Sequence, residues 1–233
     1  MAQASTKHSI LVWDLPTRLF HWLLVALMVG AFVTGQLGGD LMPWHGRLGL
    51  AIIGLLAFRL VWGFVGSTHA RFASFLPRPA TVMAYLRGQW RGLGHNPLGA
   101  LSVFGLLAIV AIQALTGLFA NDDIAFQGPL AGLIEGATSL WLTSIHRLGV
   151  NLLLALVGLH VAAVLYYTWF KRDSLVLPMI TGTKVVADPL AQPAKGGGLI
   201  PFLIALLVAL GVVALAAGIL IEPPPPPPPA PEW

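Results

Sequence analysis

Cysteine is absent from all 233 residues. That removes thioether-attached haem, thiolate-held iron–sulfur clusters and any disulfide framework, and it leaves the redox compartment open. Charge is scarce too: Asp, Glu, Lys and Arg make up 9% of the chain, against about 25% in a soluble domain. With 57% hydrophobic residues and a mean hydropathy of +0.82, the class is integral membrane protein. Alternating ten-residue segments, the mark of a membrane-spanning barrel, are missing. No short cleavable leader is expected either. Lys7 and Arg18 precede an apolar run too long for a signal-peptide core, so that run is expected to stay as an anchor.

What is present is a set of long apolar windows, at about 19–37, 48–66, 98–119, 146–169 and 199–221, each long enough to span as a helix. Basic residues alternate with the spans. Lys7, Arg18, Arg71, Arg78, Arg87, Arg91, Lys171, Arg172, Lys184 and Lys195 fall on one side, and only Arg47 and Arg147 near helix ends on the other. Asp40, Asp122, Asp123, Glu135, Glu222 and Glu232 share that second side. The positive-inside rule then predicts a bacterial inner-membrane protein with a cytoplasmic N-terminus and a periplasmic C-terminus. The basic residues form no stripe, so a nucleic-acid partner is excluded. The expected fold is all-α: a four-helix transmembrane bundle over residues 1–182 and a cytoplasmic linker at 183–198. An appended fifth transmembrane helix at 199–221 and a proline-rich tail at 222–233 complete it. Within the 67–96 loop, Ala80–Leu86 reads as a short interfacial helix, and the 129–140 part of the acidic outer loop as a further helix. The tail, EPPPPPPPAPEW, reads as a polyproline rod, either a spacer or a docking arm.

Of seven histidines, His8, His69 and His95 fall in the cytoplasmic segments, where solvation is the simpler expectation. His21, His45, His146 and His160 lie at or within spans, where an ionisable group is costly and marks function. His146 and His160 are fourteen residues apart. At 100° per residue both leave one face, and they stand ~21 Å apart along the axis. The alternating direction of the helices sorts the four by depth. His21 pairs with His160 toward the cytoplasm, and His45 with His146 toward the periplasm. Two facing imidazole pairs in an apolar bundle are what two non-covalent, bis-histidine b haems require, the irons being the metals held. A zinc site needs more ligands at one level.

Arg59, fourteen residues after His45, reaches the inner level, where it either pairs with a haem propionate or snorkels to headgroups. Arg18, Arg47 and Arg147 sit beside the histidines as further propionate candidates. Gly35, Gly105 and Gly117 stand near the two levels, where glycine admits a flat macrocycle or an ordinary helix contact. Trp13 and Asp14, with the inner ends of the first and fourth helices, are candidates for a quinone site; Trp13 alternatively belongs to an interfacial aromatic belt.

RLFHW at 18–22, WHGRLG at 44–49, RLVWGFVGSTHARFASFLPRP at 59–79 and IHRLGVNLLLALVGLHVAAVLYYTWFKRD at 145–173 resemble the bacterial cytochrome b561 and nickel–iron hydrogenase b-type cytochrome superfamily. The resemblance covers about residues 9–182. It implies ligands from the first, second and fourth helices, at His21, His45, His146 and His160. It also implies electron transfer between the quinone pool and a redox partner: a periplasmic c-type cytochrome, a hydrogenase or a dehydrogenase. Two alternatives stand beside it. One is a superoxide:quinone oxidoreductase, as some relatives are, against which the acidic outer loop argues. The other is a haem-free proton or ion transporter with a histidine relay.

Overall fold

The computed structural model describes residues 7–124 and 126–220; the tail at 222–233, and with it the expected polyproline rod, lies outside the described residues. The chain is an all-α integral membrane protein with five helices long and apolar enough to span, α1 (Leu15–Leu37), α2 (Met42–Val65), α5 (Pro97–Leu118), α6 (Gly136–Trp169) and α8 (Leu199–Ala216). Short helices α3 (Phe72–Phe75), α4 (Pro79–Leu86) and α7 (Val176–Thr181) lie between them.

Local chemistry sets the ends of the spans. Asp14 caps α1 by accepting from the Thr17 N–H at 2.7 Å, and Asn96 caps α5 by accepting from the Gly99 N–H at 2.7 Å. Prolines follow in the first turn of α1, α2 and α5, where the missing N–H costs nothing. α6 is the outlier. Its 34 residues extend about 51 Å, well beyond a ~30 Å hydrocarbon core. The segment expected to be helical at 129–140 is a 3₁₀ turn, Ala131–Leu133, followed directly by this overhang. The overhang is held by the preceding loop: Ser139 Oγ donates to the Phe119 carbonyl at 2.7 Å, and the Asn121 N–H donates to Thr143 Oγ1 at 2.9 Å.

α2 is the hub. It packs on α1, α5 and α8, while α6 packs on α5. The α2–α8 seam joins Ala57, Phe58 and Trp62 to Ala205, Ala209 and Phe202. A Cβ on Gly54 would stand 2.8 Å from Val213 Cγ2, so helix 8 lies against the α2 backbone. Close approach of this kind is how helices associate where lipid is as apolar as leucine. The appended helix is thus built into the bundle.

The segments at 7–14, 67–96 and 171–198 converge at one end. β1 (His8–Leu11) pairs antiparallel with β2 (Thr183–Val186), His8 opposite Val186. Four spans separate the strands, so both lie on one side of the bundle. Thr68 and Lys195 exchange hydrogen bonds, and Ser67 forms a bridge with Gly196. The segment 183–198 is therefore a strap fastened at both ends as well as a connection. Its glycines Gly196, Gly197 and Gly198 all adopt positive φ, between 78° and 85°. A Cβ on Gly197 would come within 2.9 Å of the buried Trp62 ring. This is a shaped turn over an indole, open only to glycine.

Candidate functional site

The sequence-predicted residues fall at two levels. Toward the 119–135 loop, α2 supplies His45 and α6 supplies His146, and their ring centroids stand 5.9 Å apart with planes at 89°. Both Nδ1 atoms are engaged by helix backbone. His45 Nδ1 bonds the Ala31 carbonyl at 2.8 Å, and His146 Nδ1 bonds the Gln113 carbonyl at 2.9 Å, with Thr116 Oγ1 at 3.3 Å. A carbonyl only accepts, so each Nδ1 carries the proton and each Nε2 keeps its lone pair. Such second-shell bonds orient metal-ligating imidazoles.

Glycines make room for these rings. A Cβ on Gly35 would lie 2.9 Å from His45 Nδ1, and one on Gly117 would lie 3.1 Å from the Cε1 atom of His146. Their role is to seat the imidazoles. Gly105 has nothing within 4 Å of a notional Cβ and remains open to a larger group.

Toward the sheet end, α1 supplies His21 and α6 supplies His160, within electrostatic reach of each other. Ser102 Oγ lies 3.3 Å from His160 Nδ1, while His21 Nδ1 is buried without a hydrogen-bond partner. Arg59 is 3% exposed, which removes the snorkelling alternative. Its guanidinium lies 4.6 Å from the Phe72 ring centroid and 5.9 Å from that of Phe20, and Nη1 has no partner. Asp14 is within electrostatic range, but its two oxygens accept from the Thr17 N–H and Trp62 Nε1; the unmade hydrogen bond of this buried cation is open to a further anion, and a haem propionate is of that kind. The residues present therefore fit a haem: at one level a close imidazole pair with both Nδ1 atoms bonded to carbonyls, and at the other orphaned buried donors.

The other arginines divide. Arg18 donates through Nη1 to the Ile180 carbonyl, binding α1 to α7, and its buried Nε is unpartnered. Arg47 is exposed and stacks over Trp44 at 4.8 Å. Arg147 is exposed beside His146. Asp14 also accepts from Trp62 Nε1 at 3.1 Å, so it ties α1 to α2. Trp13 is not a belt residue: it is 9% exposed, with its ring 4.6 Å from that of His95.

Solvation was the simpler expectation for His69 and His95, and the fold overrides it. His95 lies between Trp13 and Phe75, whose centroid is 4.5 Å away. Burial, then the Arg59 guanidinium and the imidazoles of His69, His160 and His21, push its pKa down to about 3. Burial also lowers that of His69, opposed by a hydrogen bond to the Gln192 backbone. The available signal was the aromatic content of the 67–96 loop, with Phe72, Phe75, Tyr85 and Trp90, too rich for a solvated connection.

A family model described as prokaryotic cytochrome b561 matches residues 12–182. Among curated proteins, the chain is 25% identical over 214 residues to the "Probable Ni/Fe-hydrogenase 1 B-type cytochrome subunit" of Escherichia coli (strain K12). That match covers 73% of this chain and 88% of the relative. It is 26% identical to the "Probable Ni/Fe-hydrogenase B-type cytochrome subunit" of Azotobacter chroococcum mcd 1, over 77% and 90% of the two chains. A protein of the same name from Rhizobium leguminosarum bv. viciae is 22% identical, over 80% and 93%. No solved structure matches.

Proposed function

Because the chain belongs to the prokaryotic cytochrome b561 family, we propose that it is a dihaem member, exchanging electrons between the quinone pool and a redox partner at the opposite membrane face. His45 and His146 would hold one haem b, and His21 and His160 the other. Haem bound at both levels supplies reversible one-electron chemistry along the bundle axis.

The observation that carries this reading is the His45–His146 pair, 5.9 Å between centroids with both Nδ1 atoms bonded to carbonyls of neighbouring helices. Each ring thereby keeps its Nε2 lone pair, the form in which a neutral imidazole binds a metal. Arg59 would neutralise a propionate of the inner group. The sheet end, where the basic segments gather, is assigned to the cytoplasm, which puts the N-terminus inside, the C-terminus outside and the 119–135 loop in the periplasm. Related chains are described as hydrogenase b-type cytochrome subunits. The partner class is accordingly a hydrogenase or comparable redox protein docking on that outer face.

Pyridine haemochrome analysis of the purified protein tests the stoichiometry. Two non-covalent haem b per chain is the expected result; one haem, or none, contradicts the assignment.

A further inference from the structure

From Leu41 to Asn121 the chain carries no Asp or Glu, and the 67–96 loop within that stretch holds four arginines, Arg71, Arg78, Arg87 and Arg91. All four are exposed. None of them forms an ion pair among the described residues, where the pair found is Lys184 with Asp173 in the 171–198 segment. Arg91 Nη1 donates to the Gly88 carbonyl at 3.1 Å, which steadies the turn after α4.

α4 lies between these charges, with Arg78 as its N-cap and Arg87 as its C-cap. One side of α4 packs on α5. The other side shows Pro79, Met83 and Leu86, spaced i, i+4, i+7 and so on one face. All three are exposed, Met83 by 49% and Leu86 by 63%, and Leu76 just ahead of the helix is exposed as well. The loop joins two spans, α2 and α5, so both its ends leave the bundle at the membrane boundary. Tyr85 and Trp90, ring centroids 6.1 Å apart, add amphipathic rings of the kind that sit at headgroup depth.

An apolar stripe with cations at both ends is the form of helix that lies in the interface plane, apolar side among acyl chains and basic side chains at the phosphates. Arg78 points the same way. N-caps favour acceptors such as Asp, and the helix dipole disfavours a cation there. A phosphate beside Arg78 relieves that conflict and is itself attracted by the dipole.

We propose that α4 and its flanking arginines form a docking site for anionic phospholipid. Met83 and Leu86 enter the acyl boundary, while Arg78, Arg87 and Arg91 hold phosphate oxygens through forked N–H donors. Zwitterionic lipid presents the same phosphate but brings its own ammonium. Arginines with no acidic residue in their own loop therefore favour headgroups of net negative charge. A free phosphate or a nucleic acid would meet the arginines and leave the apolar stripe uncovered. The site stands apart from the haem assignment and does not depend on it.

The test uses the full-length, haem-loaded protein in detergent, titrated separately with phosphatidylglycerol and phosphatidylcholine, with bound lipid counted by native mass spectrometry. Wild type should bind phosphatidylglycerol the more tightly, by about fivefold for each arginine engaged. Arg78→Gln with Arg87→Gln should weaken that binding about 25-fold, with haem content unchanged. Lys171→Gln with Lys195→Gln removes equal charge from the same end of the bundle and should change it less than about threefold. The absence of cysteine allows a second measurement, in which Met83→Cys carries the single attached nitroxide. In nanodiscs of equal parts of the two lipids, that label should collide more with oxygen than with a water-soluble nickel chelate, as at acyl depth. No preference for phosphatidylglycerol in wild type overturns the proposal. So does an equal loss in both double variants, which would make the effect one of bulk charge. A label at position 83 in contact with water overturns it too, and gives this face to a soluble partner.

Discussion

At the scale of single residues, the candidate site depends on small side chains as much as on the histidines. Gly35→Val would put a methyl-bearing carbon into the His45 ring and break its 2.8 Å bond to the Ala31 carbonyl. The expected outcome is loss of the outer haem, about half the haem per chain, with the inner potential unchanged, read by haemochrome analysis and redox titration. Arg59→Leu acts at the other level. Removing a buried cation disfavours the added electron, so the inner potential should fall, by about 60 mV if the charge is worth ~1.4 kcal/mol there. An unchanged inner potential with full haem content would detach Arg59 from the propionate. The four span histidines were legible because they are costly in lipid and fall at matched depths. His69 and His95 were not, since a histidine between spans looks solvated until the loop is seen folded onto the bundle.

At the scale of elements, the five spans were legible because hydropathy acts locally, while their ends were not: α2 begins at Met42 and α6 at Gly136, ahead of the apolar windows that open at 48 and 146. The expected α4 and the observed Pro79–Leu86 agree for the same reason. The β1–β2 pairing was not legible: four-residue strands 172 residues apart in the chain carry no pattern of their own, and only the shared face of the membrane brings them together. The place of α8 was hidden too, since its apolar run announces a span and says nothing of which neighbour it meets. Ala205, Ala209 and Gly54 decide that. Gly54→Leu should overpack the seam at a cost of about 1–3 kcal/mol. The solubilised protein should melt at lower temperature while retaining haem, because no candidate ligand lies on α8. Haem loss at ambient temperature, before any melting, would mean that α8 holds the α2 ligand in place.

At the scale of the whole molecule, the two ends differ in charge. The sheet end gathers the basic segments. The far end carries the exposed Asp123 and Glu135 around a loop whose Asp122 is occupied in accepting from the Ile124 and Phe126 N–H groups at 2.9 Å. Surface charges steer a soluble partner only over about a Debye length, ~10 Å at 0.1 M salt. Reduction of a cationic periplasmic protein by the reduced cytochrome should therefore slow as salt rises. Asp123→Lys with Glu135→Lys should flatten that dependence, as stopped-flow traces at two ionic strengths would show. Equal rates in every condition would take the acidic loop out of docking.

The central claim is that four histidines form two pairs by depth, and potentiometric titration of the four single alanine variants tests it most directly. His45→Ala and His146→Ala should lose or shift the same redox component, and His21→Ala and His160→Ala the other. If His21→Ala instead disturbed the component that His146→Ala disturbs, the pairing by depth, and the two-level cytochrome built on it, would be contradicted.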